Sequence, residues 1–145
     1  MIPKGVKLGH VFNYAYLWDR VWRAGRDEAS KDRPCLVLAL VVYQAGGAAV
    51  VRVLPITHSP PLDPAETVEI PQRVKARLRL DEARSWIVLS ESNVFAWPDP
   101  DLRPTVAPTS DGYYGPLPPN LFNLVRERFV ALARTGAHRS VPRHE

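Results

Sequence analysis

Three residues at the ends of two apolar segments could act together on a phosphate ester. Arg33 precedes the apolar segment that begins at Pro34, and Thr57 and His58 follow the segment 48–56. An arginine offers a forked pair of hydrogen-bond donors to phosphate oxygens, and a threonine hydroxyl can add another. Histidine titrates near neutral pH and suits proton transfer. These residue types predict a site that binds a phosphodiester and stabilises the negative charge that develops on it.

The two apolar segments must pair for these residues to meet. Residues 34–43 and 48–56 are rich in β-branched and aliphatic side chains, and Gly46-Gly47 between them is a turn signal, so the pattern predicts a β-hairpin. In an antiparallel hairpin Arg33 and Thr57 both lie at the end away from the turn. Their side chains can therefore share one rim.

The same three residues also have a purely structural interpretation. Arg33 could pair with Asp32 or Glu28. Thr57 could simply end a strand, and His58 could be a surface residue. Spacing alone leaves both interpretations open.

The rest of the chain predicts further short strands and two helices. Strands are predicted at residues 9–17, 34–43, 48–56, 66–70, 85–91 and 94–97. A short helix is predicted over residues 71–80, with Pro71 in its first turn. A longer helix is predicted from apolar residues that recur at steps of three and four, which are Leu121, Val125, Phe129 and Leu132. The pattern indicates a mainly β (α+β) protein, a small β-barrel or rolled sheet of five to six strands with a C-terminal amphipathic helix.

Length and composition indicate a single domain over residues 1–145. Fifteen of the 145 residues are proline, about twice the usual share, which excludes a helical bundle. Seven of these prolines fall between Pro98 and Pro119, and residues 98–118 are predicted to be irregular. Residues 19–32 are predicted to form a charged loop, 119–135 the C-terminal helix and 136–145 a polar tail.

Charge and cysteine content restrict the classes of partner and site. The net charge of +4 permits polyanionic partners and disfavours basic ones. The single cysteine, Cys35, excludes an intramolecular disulfide and a multi-cysteine zinc site, and its apolar neighbours predict a packed core thiol. No signal-peptide pattern and no apolar stretch of about 20 residues is present, so we expect a cytoplasmic protein without membrane contact.

The four histidines show no spacing that is typical of a metal site. His10, His58, His138 and His144 would need long-range convergence to share an ion. His138 and His144 are expected to be solvated in the polar tail. We therefore predict no metal and no other cofactor.

Four short blocks follow one another along the chain. They are Gly9-His10-Val11 with Glu28 through Arg33-Pro34, then Val53-Leu54-Pro55-Ile56-Thr57, Val68-Glu69-Ile70-Pro71, and Ser85-Trp86-Ile87-Val88-Leu89-Ser90-Glu91. In this order, over residues 8–97, they resemble segments of the MazF/PemK/Kid family of bacterial toxins. Each block alone is weak, whereas four in sequence with a terminal helix are more specific.

The resemblance implies both a fold and an activity. Proteins of this family are SH3-like barrels, usually homodimers, that cleave single-stranded RNA without a metal and are held inactive by a cognate antitoxin. Arg33 matches the catalytic arginine of the family and Thr57 its catalytic threonine. Glu28 and Glu91 match acidic positions near the RNA-binding groove.

Several positions depart from the family pattern. His10 stands where the family has an aspartate after Gly9, and we group it with the two glutamates as a predicted substrate-binding residue. His58 has no family counterpart and is added as an acid/base candidate from its chemistry alone. The segment Ser92-Asn93-Val94-Phe95 replaces the family's Gln-x-Arg-Thr. These departures motivate an alternative, a non-catalytic SH3-like module that binds nucleic acid or a partner peptide.

Two further groups of residues could contact RNA. Four aromatic side chains could stack on the bases of RNA, or could equally pack in the core or at a dimer interface. They are Tyr14, Tyr16, Trp18 and Trp22. Four basic residues could contact the phosphate backbone of RNA, or could equally form a solvated helix face. They are Arg73, Lys75, Arg77 and Arg79.

Overall fold

A computed structural model describes residues 7–25, 31–42, 49–97 and 113–143. Eight strands and three helices make up these ranges, together with a 3-10 turn at Pro64–Glu66. In chain order the elements are β1 His10–Tyr16, α1 Asp19–Arg23, β2 Lys31–Val42, β3 Ala49–Thr57, β4 Thr67–Glu69, α2 Gln72–Leu78, β5 Trp86–Val88, β6 Glu91–Trp97, β7 Tyr113–Pro116, α3 Pro119–Arg134 and β8 Arg139–Pro142. The protein is mainly β, as the alternation of apolar segments and turn residues predicts.

All eight strands belong to one sheet. Its order is β4-β5-β3-β2-β1-β7, and β6 pairs with β3 and with β8. Strand β3 pairs with β6 through residues 49–53 and with β5 through Ile56 and Thr57, so it changes neighbour along its length. Every pairing is antiparallel except that of β6 with β8. The predicted hairpin is therefore confirmed as the β2–β3 pair, and its Gly-Gly turn lies outside the described residues.

The sheet is strongly curled. The evidence is that side chains from distant strands meet on one face. Adjacent strands lie about 4.8 Å apart, so β1 and β6, with β2 and β3 between them, would be about 14 Å apart in a flat sheet. Instead, the rings of Tyr14 and Phe95 stack with their centroids 4.5 Å apart. The curled face encloses a core of its own, formed by Phe12, Tyr14, Tyr16, Cys35, Val37, Val51, Val53 and Phe95.

A second core fills the opposite face of the sheet, where α3 packs. Val125 of α3 is fully buried in it, and Leu121, Phe129 and Leu132, which the helical spacing predicts, pack around it together with Phe122. Residues 35–38 of β2 alternate between the two cores. This alternation explains why these four residues are all apolar, and it places the Cys35 thiol in the core, as predicted.

The structure corrects the predicted number and extent of the elements. The described residues contain eight strands rather than five to six, because β7 lies inside the segment predicted to be irregular and β8 inside the predicted polar tail. Helix α1 occupies part of the predicted charged loop. Four prolines of the irregular segment, Pro98, Pro100, Pro104 and Pro108, lie outside the described residues. Within the described ranges, none of the helices is both long and apolar enough to cross a membrane.

His138 is part of a buried polar network rather than a solvated tail. Its Nδ1 lies 2.8 Å from the Leu89 carbonyl oxygen, and its Nε2 lies 2.9 Å from Ser92 Oγ. Ser92 is fully buried and also accepts a hydrogen bond from Arg52 at 2.7 Å. The neutral ring satisfies both neighbours if Nδ1–H donates to the carbonyl and Nε2 accepts from the hydroxyl. His144, predicted to be solvated as well, lies outside the described residues.

This network makes stability depend on pH. Burial lowers the pKa of His138 below its ordinary value, and the Arg52 guanidinium acts in the same direction. The unfolded chain then binds a proton at a higher pH than the folded chain, so the free energy of unfolding decreases as pH falls below about 6.5. Urea unfolding at pH 7.5 and pH 5.5 measures this decrease. His138→Gln should show a smaller decrease, and an equal decrease in both proteins would contradict the assignment.

Candidate functional site

The β2–β3 register brings Arg33 and Thr57 to the same end of the hairpin. Cys35 pairs with Pro55, so Arg33, two residues before Cys35, and Thr57, two residues after Pro55, lie at the same end of the antiparallel pair. On its other side Arg33 pairs with Tyr14 of β1. The shared rim that the sequence predicts for the arginine and the threonine is present in the fold.

An open cavity of about 560 Å³ lies at this rim. Its walls come from the segment after β1 with α1, the start of β2, the end of β3 with the loop that follows it, and strands β4 and β5. The lining residues are Trp18, Arg20, Arg33, Thr57, His58, Ser59, Pro61, Leu62, Glu66, Thr67, Val88 and Ser90. All three predicted catalytic residues, Arg33, Thr57 and His58, therefore face one cavity.

The Arg33 guanidinium is half-buried and has few partners of its own. Its Cζ lies 4.8 Å from the centre of the Trp18 ring, and Nη1 makes one long hydrogen bond of 3.5 Å to the Ile56 carbonyl. Its Nε is buried and has no hydrogen-bond partner among the described residues. Burial lowers the pKa of Arg33, yet an arginine stays cationic at neutral pH. The site thus holds a partly desolvated cation with unused donors.

The Thr57 hydroxyl is oriented by the chain that follows it. The backbone N–H of Ser59 donates to Thr57 Oγ1 at 3.2 Å. Because this bond occupies an acceptor position of the oxygen, the hydroxyl hydrogen stays available for donation to a ligand. Thr57 can therefore donate to an anion beside Arg33.

His58 reaches the cavity from the same loop and has an acidic partner. Its Nε2 lies 2.9 Å from Oδ2 of Asp81 and 3.1 Å from Oδ1. Asp81 comes from the turn after α2, 23 residues further along the chain. Sequence reasoning missed this partner because no local spacing connects the two residues.

The predicted substrate-binding residues are spread over three places. Glu91 lies on β6 and lines a smaller cavity beside the first, and its Oε1 accepts hydrogen bonds from Tyr16 Oη at 3.1 Å and from the Asp19 backbone N–H at 2.9 Å. Burial raises the pKa of Glu91, although these two hydrogen bonds oppose the shift. His10 does not line the cavity and instead contacts Tyr113, whose Oη is 2.9 Å from its Nδ1. Glu28 lies outside the described residues.

A second cavity of about 330 Å³ adjoins the first and shares Arg20, Glu66 and Ser90 with it. Two further arginines, Arg23 and Arg139, line its other end. Three carboxylates, those of Asp19, Glu66 and Glu91, line the second cavity as well. Asp19 forms ion pairs with Arg23 at 3.0 Å and with Arg139 at 3.8 Å, so two of these arginines already have an acidic partner. Sequence analysis did not single out Arg20, because a lone arginine in a charged segment carries no signal.

The other predicted RNA contacts separate into core and surface. Tyr14 and Tyr16 are buried, whereas Trp18 lines the cavity and Trp22 is exposed away from it. Lys75 is only 1% exposed, so one of the four basic residues predicted to contact a phosphate backbone lies in the interior. The aromatic contact that the site keeps is Trp18.

The described residues contain no group of three or more His, Cys, Asp or Glu side chains that could hold a metal ion. No protein-family model, curated protein or solved structure matches this chain. The chemistry of the cavity must therefore be read from its own residues.

Proposed function

We propose that this protein is a metal-independent endoribonuclease that cleaves single-stranded RNA through attack by the RNA's own 2′-hydroxyl. The observation that carries the proposal is the half-buried Arg33 guanidinium, with an unpaired Nε, in one cavity with Thr57 and His58. The lining offers a cation, a hydroxyl and an imidazole. That set suffices when the substrate supplies the nucleophile.

In the proposed reaction the 2′-oxygen attacks the adjacent phosphorus, and the bond from phosphorus to the 5′-oxygen breaks. The products are a 2′,3′-cyclic phosphate and a free 5′-hydroxyl. Arg33 donates to the nonbridging oxygens, whose negative charge grows in the pentacoordinate transition state. Partial burial strengthens this interaction because less water screens it. Thr57 donates a further hydrogen bond, and His58 transfers the proton.

The walls of the cavity favour an unpaired strand as the substrate. Trp18 offers a ring on which a base can stack, a contact worth about 1–3 kcal/mol in single-strand binding proteins. Arg20, which is exposed and lines both cavities, suits the phosphate of a flanking nucleotide. Bases in a duplex are already stacked and cannot make the tryptophan contact.

The family resemblance extends this proposal beyond the reaction. We assign the curled sheet to an SH3-like barrel and the protein to the toxins of toxin–antitoxin systems. In that role it forms a homodimer, inhibits growth of the cell in the cytoplasm and is neutralised by a cognate antitoxin. The order of the four sequence blocks and the antiparallel β2–β3 pair that carries Arg33 and Thr57 support the assignment.

The first test is cleavage of RNA in the presence of excess chelator. The purified protein is expected to cut a single-stranded RNA of mixed sequence and to leave 2′,3′-cyclic phosphate ends, which mass spectrometry identifies. An oligonucleotide that carries deoxyribose at the cleaved position is expected to bind and stay intact, because the nucleophile is missing. Salt-sensitive binding of the RNA without any cut would instead identify a non-catalytic binding module.

A further inference from the structure

A chain of polar contacts connects His58 to the buried side of α2. Asp81, which holds the imidazole Nε2, also accepts a hydrogen bond from Lys75 Nζ at 2.9 Å through Oδ1. Lys75 is buried, and its ammonium group donates as well to Ser85 Oγ at 2.7 Å and to the Ala83 carbonyl oxygen. All three donors of the lysine are thus used inside the protein.

These contacts fix the Asp81 carboxylate in place. The Ala83 backbone N–H also donates to Oδ1 at 3.2 Å, so the carboxylate is held both by the buried lysine and by its own turn. His58 is more than half exposed and would otherwise rotate freely. The anchored carboxylate is therefore what orients the imidazole in the cavity.

The same carboxylate selects one tautomer of the ring. Burial alone would raise the pKa of Asp81, but the hydrogen bonds and charges of Lys75 and His58 outweigh burial and lower it. An ionised carboxylate only accepts hydrogen bonds, so Nε2 of the neutral imidazole must carry the hydrogen. The lone pair is then on Nδ1, the nitrogen that Asp81 does not contact.

We propose that Asp81, anchored by Lys75, is a positioning residue that makes His58 Nδ1 the proton acceptor of the reaction. This inference rests on the proposed function. Nδ1 takes the proton of the 2′-hydroxyl while the new bond from oxygen to phosphorus forms. The departing 5′-oxygen takes a proton from water, and the imidazolium returns its proton to the solvent. Asp81 touches no reacting atom and acts only through His58.

A double-mutant cycle tests this role. His58→Gln is expected to lower kcat about 100-fold and Asp81→Asn about 10-fold, with little change in KM, since both act on proton transfer. In the His58→Gln background, Asp81→Asn should cost nothing further, because its effect passes through the imidazole. Glu82→Gln is the matched control, since it removes an adjacent exposed carboxylate and should leave the rate unchanged.

A nitrogen-15 NMR measurement tests the tautomer without any substrate. The wild-type protein is expected to show an unprotonated Nδ1 on neutral His58, and Asp81→Asn a mixture of tautomers. A wild-type ring with hydrogen on Nδ1, or an equal loss of kcat from Asp81→Asn in both backgrounds, would overturn the positioning role alone. A wild-type protein that leaves RNA intact would overturn the proposed function, and the catalytic part of this inference with it.

Discussion

Replacing Arg33 with alanine is expected to lower kcat for RNA cleavage about 10³-fold, the loss that follows removal of a preorganised donor to developing charge. The free energy of unfolding should change by only about 1 kcal/mol, because the guanidinium makes one long hydrogen bond and one cation–π contact with Trp18 and leaves Nε unpaired among the described residues. Single-turnover cleavage and urea unfolding of the same preparation separate the two effects. Growth arrest on expression should also disappear with this substitution.

Two other arginine variants sharpen this test. Arg33→Lys keeps the positive charge but loses the forked donor pair, so it should recover only a small part of the rate. Arg20→Ala removes an exposed arginine from the same cavity and should raise KM while leaving kcat nearly unchanged. If the Arg33→Ala variant cleaved RNA at the wild-type rate, the proposed role of this cavity would be refuted.

Replacing Asn93 with leucine is expected to destabilise the fold by about 4 kcal/mol, since several buried polar groups lose their partner and each costs about 1–3 kcal/mol. The Asn93 side chain is fully buried, accepts from the Leu17 N–H at 2.9 Å and donates to the Leu17 carbonyl oxygen at 2.8 Å. Its Oδ1 also accepts from Arg143 Nη1 at 3.4 Å. Urea unfolding measures the loss.

Asn123→Leu provides the matched control for this prediction. Asn123 is exposed on α3 and accepts one hydrogen bond from Arg126, so the same chemical change should be nearly neutral there. If the two substitutions changed the free energy of unfolding equally, the hydrogen bonds of Asn93 would contribute nothing to stability. A large loss at Asn93 alone would identify it as the residue that ties β6 to the end of β1.

Sequence reasoning succeeded where the pattern was local. The apolar segments on either side of Gly46-Gly47 predict paired strands, and the continuous apolar sequence at the start of β2 matches the burial of residues 35–38 in the two cores. The hairpin geometry then placed Arg33 and Thr57 at one rim without any knowledge of the other strands. The α3 helix was predictable because its apolar residues recur at helical spacing.

The elements that sequence reasoning missed depend on distant partners. Strand β8 is a four-residue segment that pairs with β6 about 48 residues away in register, and little in its own composition marks it as a strand. Asp81 became part of the site only because the turn after α2 folds back toward the end of β3. Such placements follow from tertiary packing, which a single sequence does not display.

The departures from the family pattern also acquire a physical meaning. Ser92 and Asn93 stand where the family has a glutamine and its neighbour, and both are fully buried in hydrogen-bond networks. Ser92 connects Arg52 and His138, and Asn93 connects β1 with Arg143. In this chain the segment supports the sheet, and the candidate RNA contacts lie at Trp18 and Arg33 instead.

The contact between Arg143 and β1 bears on how quickly the protein can fold. Arg143 Nη1 donates to the Ala15 carbonyl oxygen at 2.7 Å, which joins residues 128 positions apart. The ends of such a loop must be brought together before the contact contributes any stability, and the entropic cost grows with loop length. Sheets built on contacts of this kind fold in milliseconds to seconds rather than microseconds. We therefore expect docking of β8 and Arg143 to be a late step, preceded by formation of the β2–β3 hairpin that carries the site.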